Sequence, residues 1–92
     1  MYIISNAEDL RMKMTVQIAT MVGPDNRWFT GEEVDHDPTD TEATLRFITK
    51  GEATRFADWW QKRTWCQKIQ ICEKAKQFLD QKGARYPEAV IA

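Results

Sequence analysis

The chain is poor in the residues that build chemistry into a small protein. It has two cysteines and one histidine, and it lacks a glycine-rich phosphate loop or a GxSxG elbow. Cys66 and Cys72 fall in a stretch that reads as one helix, where their spacing corresponds to a rise of about 9 Å. That exceeds the Cα separation a disulfide spans, so both are expected as free thiols serving as small core residues. With His36 as the sole imidazole, the usual four Cys/His ligands of zinc cannot be assembled, and no cofactor is expected. Long apolar runs are also missing, which argues against a membrane-spanning helix, and MYIISNAEDL lacks the basic head and apolar body of a secretory signal. The expectation is an intracellular protein.

What remains is a chain of 92 residues, expected as one domain over 1–92 that buries roughly 60–65% of its unfolded surface. Its net charge of −1 hides an asymmetry. Residues 1–42 carry three basic groups against nine carboxylates, whereas residues 43–92 carry ten against five. Oppositely charged halves of this kind attract each other within a fold or steer its two ends to different partner surfaces.

The segment from Gly51 to Gly83 holds three of the four tryptophans and both cysteines. Ala53, Phe56, Ala57 and Trp60 form a helical stripe, but continuing it would place Arg63, Thr64 and Gln67 on the apolar face. A new stripe of Trp65, Ile69, Cys72 and Leu79 starts instead, so the pattern predicts two helices, with one long kinked helix as the alternative. Thr49 with Glu52, and Thr64 with Gln67, have the spacing of capping boxes, and Gly83 is a C-terminal stop. Upstream, Leu10, Met12, Met14, Val16 and Ile18 alternate with more polar residues, the period of a half-buried strand. Gly23 to Asn26 reads as a turn, Arg27–Val34 as a second strand with a possible bulge at Gly31, Asp35–Glu42 as an acidic loop, and Ala43–Thr49 as a third strand. The expected fold class is α+β: a three-stranded antiparallel sheet over about 10–49, followed by two helices over about 51–82 packed on one face, in the order β-β-β-α-α. Met1–Ile4 is a short apolar lead, and the tail after Gly83 is expected to be irregular, with Tyr86 against the body.

Candidate contact residues fall into two groups. Asp35, Asp37 and Asp40 could hold a hard cation with His36 as a proton shuttle, but the glycine and terminal glutamate of a calcium loop are missing. An acidic patch offered to basic partner groups is the preferred reading. Arg46, Arg55, Trp59, Lys62 and Arg63 combine positive charge with an aromatic that points about 100° away from the core residue Trp60. They suit phosphates or an acidic protein surface. The uncovered sheet face, with Arg11, Lys13, Thr15, Gln17, Thr44 and Arg46, is a further contact surface in this reading. The outer arc of the last helix, from Gln67 to Gln81, contains few lysines and is not a nucleic-acid reading helix.

The stretches LRMKMTVQIATMVG, ATLRFITKG and FADWWQKR resemble the small phage-encoded anti-CRISPR proteins, most closely those directed at type I-F surveillance complexes. The resemblance implies a non-enzymatic, stoichiometric inhibitor in the cytoplasm of the infected bacterial host. Its partners would be Cas proteins of a multi-subunit complex, with contact to the CRISPR RNA backbone, and it would block target DNA binding or hybridisation. No small-molecule substrate and no membrane are implied. The alternative is a phage regulatory module that binds nucleic acid directly through its basic C-terminal half.

Overall fold

The computed structural model describes residues 6–86, and these form five helices with no strand among them. They are α1 (Asn6–Met21), α2 (Pro24–Val34), α3 (Asp40–Thr49), α4 (Glu52–Gln61) and α5 (Trp65–Lys82). The expected β-β-β-α-α fold is therefore wrong in its first part: the segments assigned to three strands are α1, α2 and α3. Met1–Ile4 and the residues after Tyr86 lie outside the described residues.

The alternation in α1 misleads because it contains a helical subset. Met12 and Val16, one turn apart, are buried in the core, and Ala19 extends their line. Leu10 and Met14, also one turn apart, are exposed on the opposite side. A strictly alternating run thus puts apolar groups on two sides of a helix, and packing chooses one. The same holds in α3, where Ala43 and Phe47 are buried while Leu45 and Ile48 are exposed.

Threonine, counted towards strands, is accommodated by local bonding. The hydroxyls of Thr15, Thr20, Thr30 and Thr49 each donate to the carbonyl four residues earlier, at 2.7–2.9 Å. Each side chain is thereby satisfied within its own helix. The turn expected at Gly23–Asn26 shrinks to a helix junction, with Pro24 in the first turn of α2, where its missing N–H costs nothing. Gly23 is required there by space: a Cβ would sit 2.8 Å from the Ala19 carbonyl oxygen.

Helices α4 and α5 are separate. Thr64 accepts from the Gln67 backbone N–H, the Gln67 side chain accepts from the Thr64 N–H, and Gly83 ends α5 with φ of 75°. The box expected at Thr49 is not formed, because Gly51 stands at the N-terminus of α4 and the Thr49 hydroxyl is spent on Leu45. A third box, Thr39 with Glu42, starts α3.

Packing centres on α1, which touches all four other helices. Helix α5 runs parallel to it: Lys68 meets Asp9 near the start, and Ala75 and Phe78 share a hollow with Val16 and Ala19 further on. Met12, Val16, Phe47, Phe56, Trp60, Cys72 and Ala75 form the core, in which each large apolar side chain contributes about 1.5–3 kcal/mol. Two polar side chains tie the helices together. Asp9 accepts from Trp60 Nε1 at 3.3 Å and from Lys68 Nζ at 2.8 Å, joining α1, α4 and α5. Buried Asn26 donates to the carbonyls of Met21 and Ala43, both at 2.7 Å, and accepts from Arg46 Nη1 at 3.0 Å, joining α1, α2 and α3.

Candidate functional site

Arg55, Trp59, Lys62 and Arg63 follow one another at i, i+4, i+7 and i+8, so winding gathers them on one edge of α4. Lys62 keeps a right-handed helical backbone at the C-terminus, which carries the register past Gln61. The Arg63 guanidinium lies over the Trp59 ring, 5.1 Å from its centroid. Arg55 is 71% exposed and donates only to the Lys50 carbonyl, apart from a 3.9 Å approach to Glu52. Lys62 is paired with Asp58 at 3.1 Å, one turn back on the surface, a contact of a few tenths of a kcal/mol that a partner easily replaces. Beside this edge a mainly apolar groove of about 310 Å³ opens between helices, lined by Phe29, Phe47, Phe56 and Trp59, with Arg55, Glu52 and Asp25 also bordering it. Trp59 is thus the half-exposed aromatic shared by the charged edge and the groove.

Arg46 does not join them. Its side chain is only 14% exposed and bonds Asn26, approaches Glu33 at 3.5 Å and Glu52 at 3.2 Å, and lies over the Phe29 ring. It is an internal clamp between α2, α3 and α4, and its charge is spent there. The uncovered sheet face has no counterpart: Arg11 and Thr15 are buried, with Arg11 paired to Glu8. That pairing holds the Glu8 carboxyl below its usual range.

The acidic loop is shorter than expected, spanning 35–39, and is largely neutralised within the fold. Arg27 takes Asp40 at 2.7 Å and Asp37 at 3.6 Å, and Lys82 approaches Asp40 at 3.5 Å. Asp35 ends α2 in a left-handed conformation with its side chain exposed. His36 Nε2 faces both oxygens of Glu42 at 3.0–3.1 Å, and this bond pushes the imidazole above its ordinary value. Glu42 is held low by the Thr39 backbone N–H and by His36. The histidine thus braces the start of α3. Among the described residues no three His, Cys, Asp or Glu side chains converge as metal ligands, and no helix is long and apolar enough to cross a membrane.

Cys72 is buried, which pushes its thiol up, whereas Cys66 is exposed in the first turn of α5 and is not the core residue expected of it. The outer arc of α5 from Gln67 to Gln81 is exposed as anticipated. Tyr86 is partly buried and donates to Asp80 at 2.7 Å. The residue that sequence reasoning passed over is Trp28: assigned to a strand, it is the most exposed large apolar side chain described, at 62%. Its signal was present in Asp25, Trp28 and Glu32, which share one face at helical spacing.

No family model, no curated protein and no solved structure matches this chain.

Proposed function

We propose that this protein acts by binding, without catalysis, as a stoichiometric anti-CRISPR inhibitor of a type I-F Cas protein and CRISPR RNA surveillance complex in the cytoplasm of the infected bacterial host. It occupies a surface of that assembly and blocks target DNA binding or hybridisation. The observation that supports this mode of action is the convergence of Arg55, Trp59, Lys62 and Arg63 on one edge of α4, next to an aromatic groove. Cationic groups there meet RNA phosphates or acidic protein, while the groove receives an apolar side chain. Two of the three stretches that prompt the resemblance are helices α1 and α3, so the likeness is one of sequence and carries no sheet with it. Arg46 and Asp40 leave the expected contact set because the fold already pairs them, whereas Asp37, 94% exposed with Arg27 3.6 Å away, stays in it.

A pull-down with purified surveillance complex, with and without target DNA, tests the reading. Lys62→Glu combined with Arg63→Glu is expected to weaken inhibition and flatten its salt dependence; unchanged inhibition removes this edge from the account. Direct nucleic-acid binding, the second reading, draws on the same edge, with Trp59 as a stacking platform. A mobility shift that weakens steeply with salt in the absence of any Cas protein would favour it over inhibition.

A further inference from the structure

The outward face of α2 is spent on nothing within the fold. Asn26 and Thr30 are buried, Phe29 and Glu33 engage Arg46, and Arg27 turns to the loop at 37–40. That leaves Asp25, Trp28 and Glu32, which follow at i, i+3 and i+7 and stand in one row, with Asp35 exposed just past the end of the helix. Among the described residues, the carboxylates of Asp25, Glu32 and Asp35 make no ion pair and no hydrogen bond. Trp28 is held in place by Phe29, whose ring meets it at 80° with centroids 5.1 Å apart. Beside the indole lies a hollow of about 370 Å³, bordered by Glu32 and Asp37 as well as by Arg27 and His36, which are already engaged by Asp40 and Glu42.

An exposed, pre-oriented indole among unpaired carboxylates has a narrow choice of partner. The unpaired carboxylates of Asp25, Glu32 and Asp35 leave this face negative, so a phosphate backbone is repelled. A wholly apolar partner would strip water from three carboxylates and give them nothing in return. A guanidinium or ammonium group satisfies both parts: it lies on the negative face of the ring while its N–H groups reach the flanking carboxylates. Arginine suits this better than lysine, because its plane stacks on the indole and its donors fork towards two acceptors.

We propose that the Asp25–Trp28–Glu32–Asp35 face docks a basic protein segment, with an arginine laid over Trp28 and further basic side chains paired with the three carboxylates. This is independent of the inhibitor reading, because it names the chemistry that meets α2 whatever assembly supplies it. The test is a heteronuclear NMR titration of the full chain with an alanine-based helical peptide that carries arginines at i, i+4 and i+7, set beside a thymidine decamer. The expected result is movement of the Trp28 indole N–H signal and of backbone signals over 25–35, larger than any at the Trp59 indole, with affinity falling as salt rises. Trp28→Ala should weaken the peptide at least fivefold and Glu32→Lys about tenfold, both with an unchanged circular dichroism spectrum because the two side chains are exposed. The proposal is overturned by a silent Trp28 signal, by shifts centred on Trp59, or by variants that bind like the parent. A response to the decamer in place of the peptide also overturns it. So does self-association that Trp28→Ala abolishes, which would make a second copy the occupant.

Discussion

Replacing Asn26 by alanine separates the helical architecture from the hairpin that the sequence suggests. In a hairpin, Asn26 is a solvated turn residue, and its truncation costs within about 0.5 kcal/mol. In the structure it is 5% exposed, and its amide makes three bonds, to Met21, Ala43 and Arg46. Each bond is worth about 1 kcal/mol net, and a carbonyl left buried without its partner costs about 1–3 kcal/mol. Arg46 retains Glu52 at 3.2 Å, which limits the loss on that side. About 3 kcal/mol is therefore expected, a large share of the roughly 5–14 kcal/mol typical of a domain this size. The melting temperature should fall by about 12–24 °C, at roughly 4–8 °C per kcal/mol. Urea unfolding followed at 222 nm gives the free energy directly, with the slope expected to stay constant. A loss below about 0.5 kcal/mol would refute the buried three-helix junction and return Asn26 to the surface.

Two further outcomes follow from the same structure. The His36–Glu42 bond raises His36 above its ordinary 6.5, and the Thr39 backbone N–H together with His36 lowers Glu42 below 4.5, so the pair contributes fully from about the ordinary carboxylate value up to the ordinary imidazole value. Its contribution is lost as pH rises through the raised imidazole value, and again as pH falls through the lowered carboxylate value. An NMR titration should find His36 above 6.5 in the parent and close to it in Glu42→Gln; equal values in both proteins would dissolve the pair. Among the glycines, Gly31→Ala is expected to stabilise by about 0.5–1 kcal/mol, since it lies inside α2 and its Cβ would meet its neighbours at an ordinary 3.5 Å. Gly23→Ala should destabilise, because its Cβ would strike backbone at 2.8 Å. Thermal melts that rank the two the other way round would contradict the α1–α2 junction.

The candidate surfaces differ in how they could be found. The α4 edge was legible because Arg55, Trp59, Lys62 and Arg63 sit at helical spacing within a stretch correctly taken as helix. The role of Arg46 was not, because a basic residue in a presumed strand gives no sign that Glu33, Asn26 and Glu52 will close around it from two other helices. Trp28 was missed for a related reason: once Arg27–Val34 is taken as a strand, its neighbours are Asn26 and Thr30, not Asp25 and Glu32. The box at Thr39 and Glu42 carried the same signal as the one at Thr64 and Gln67, and an acidic, proline-containing context concealed it.

By itself the sequence determined what depends on a few adjacent residues. The break between α4 and α5, the cap at Thr64, the stop at Gly83 and the burial of Phe56 and Trp60 all follow from steric and hydrogen-bonding preferences that act over three or four positions. Tertiary structure alone decided the first half of the chain. Alternating apolar residues serve a strand or a helix equally well until a partner surface selects Met12 and Val16 over Leu10 and Met14, and the partners that do so, α4 and α5, lie some fifty residues away in the chain. Which charges stay free for another molecule was settled at the same level, because Asp40 and Arg46 lose their availability only when distant segments fold against them.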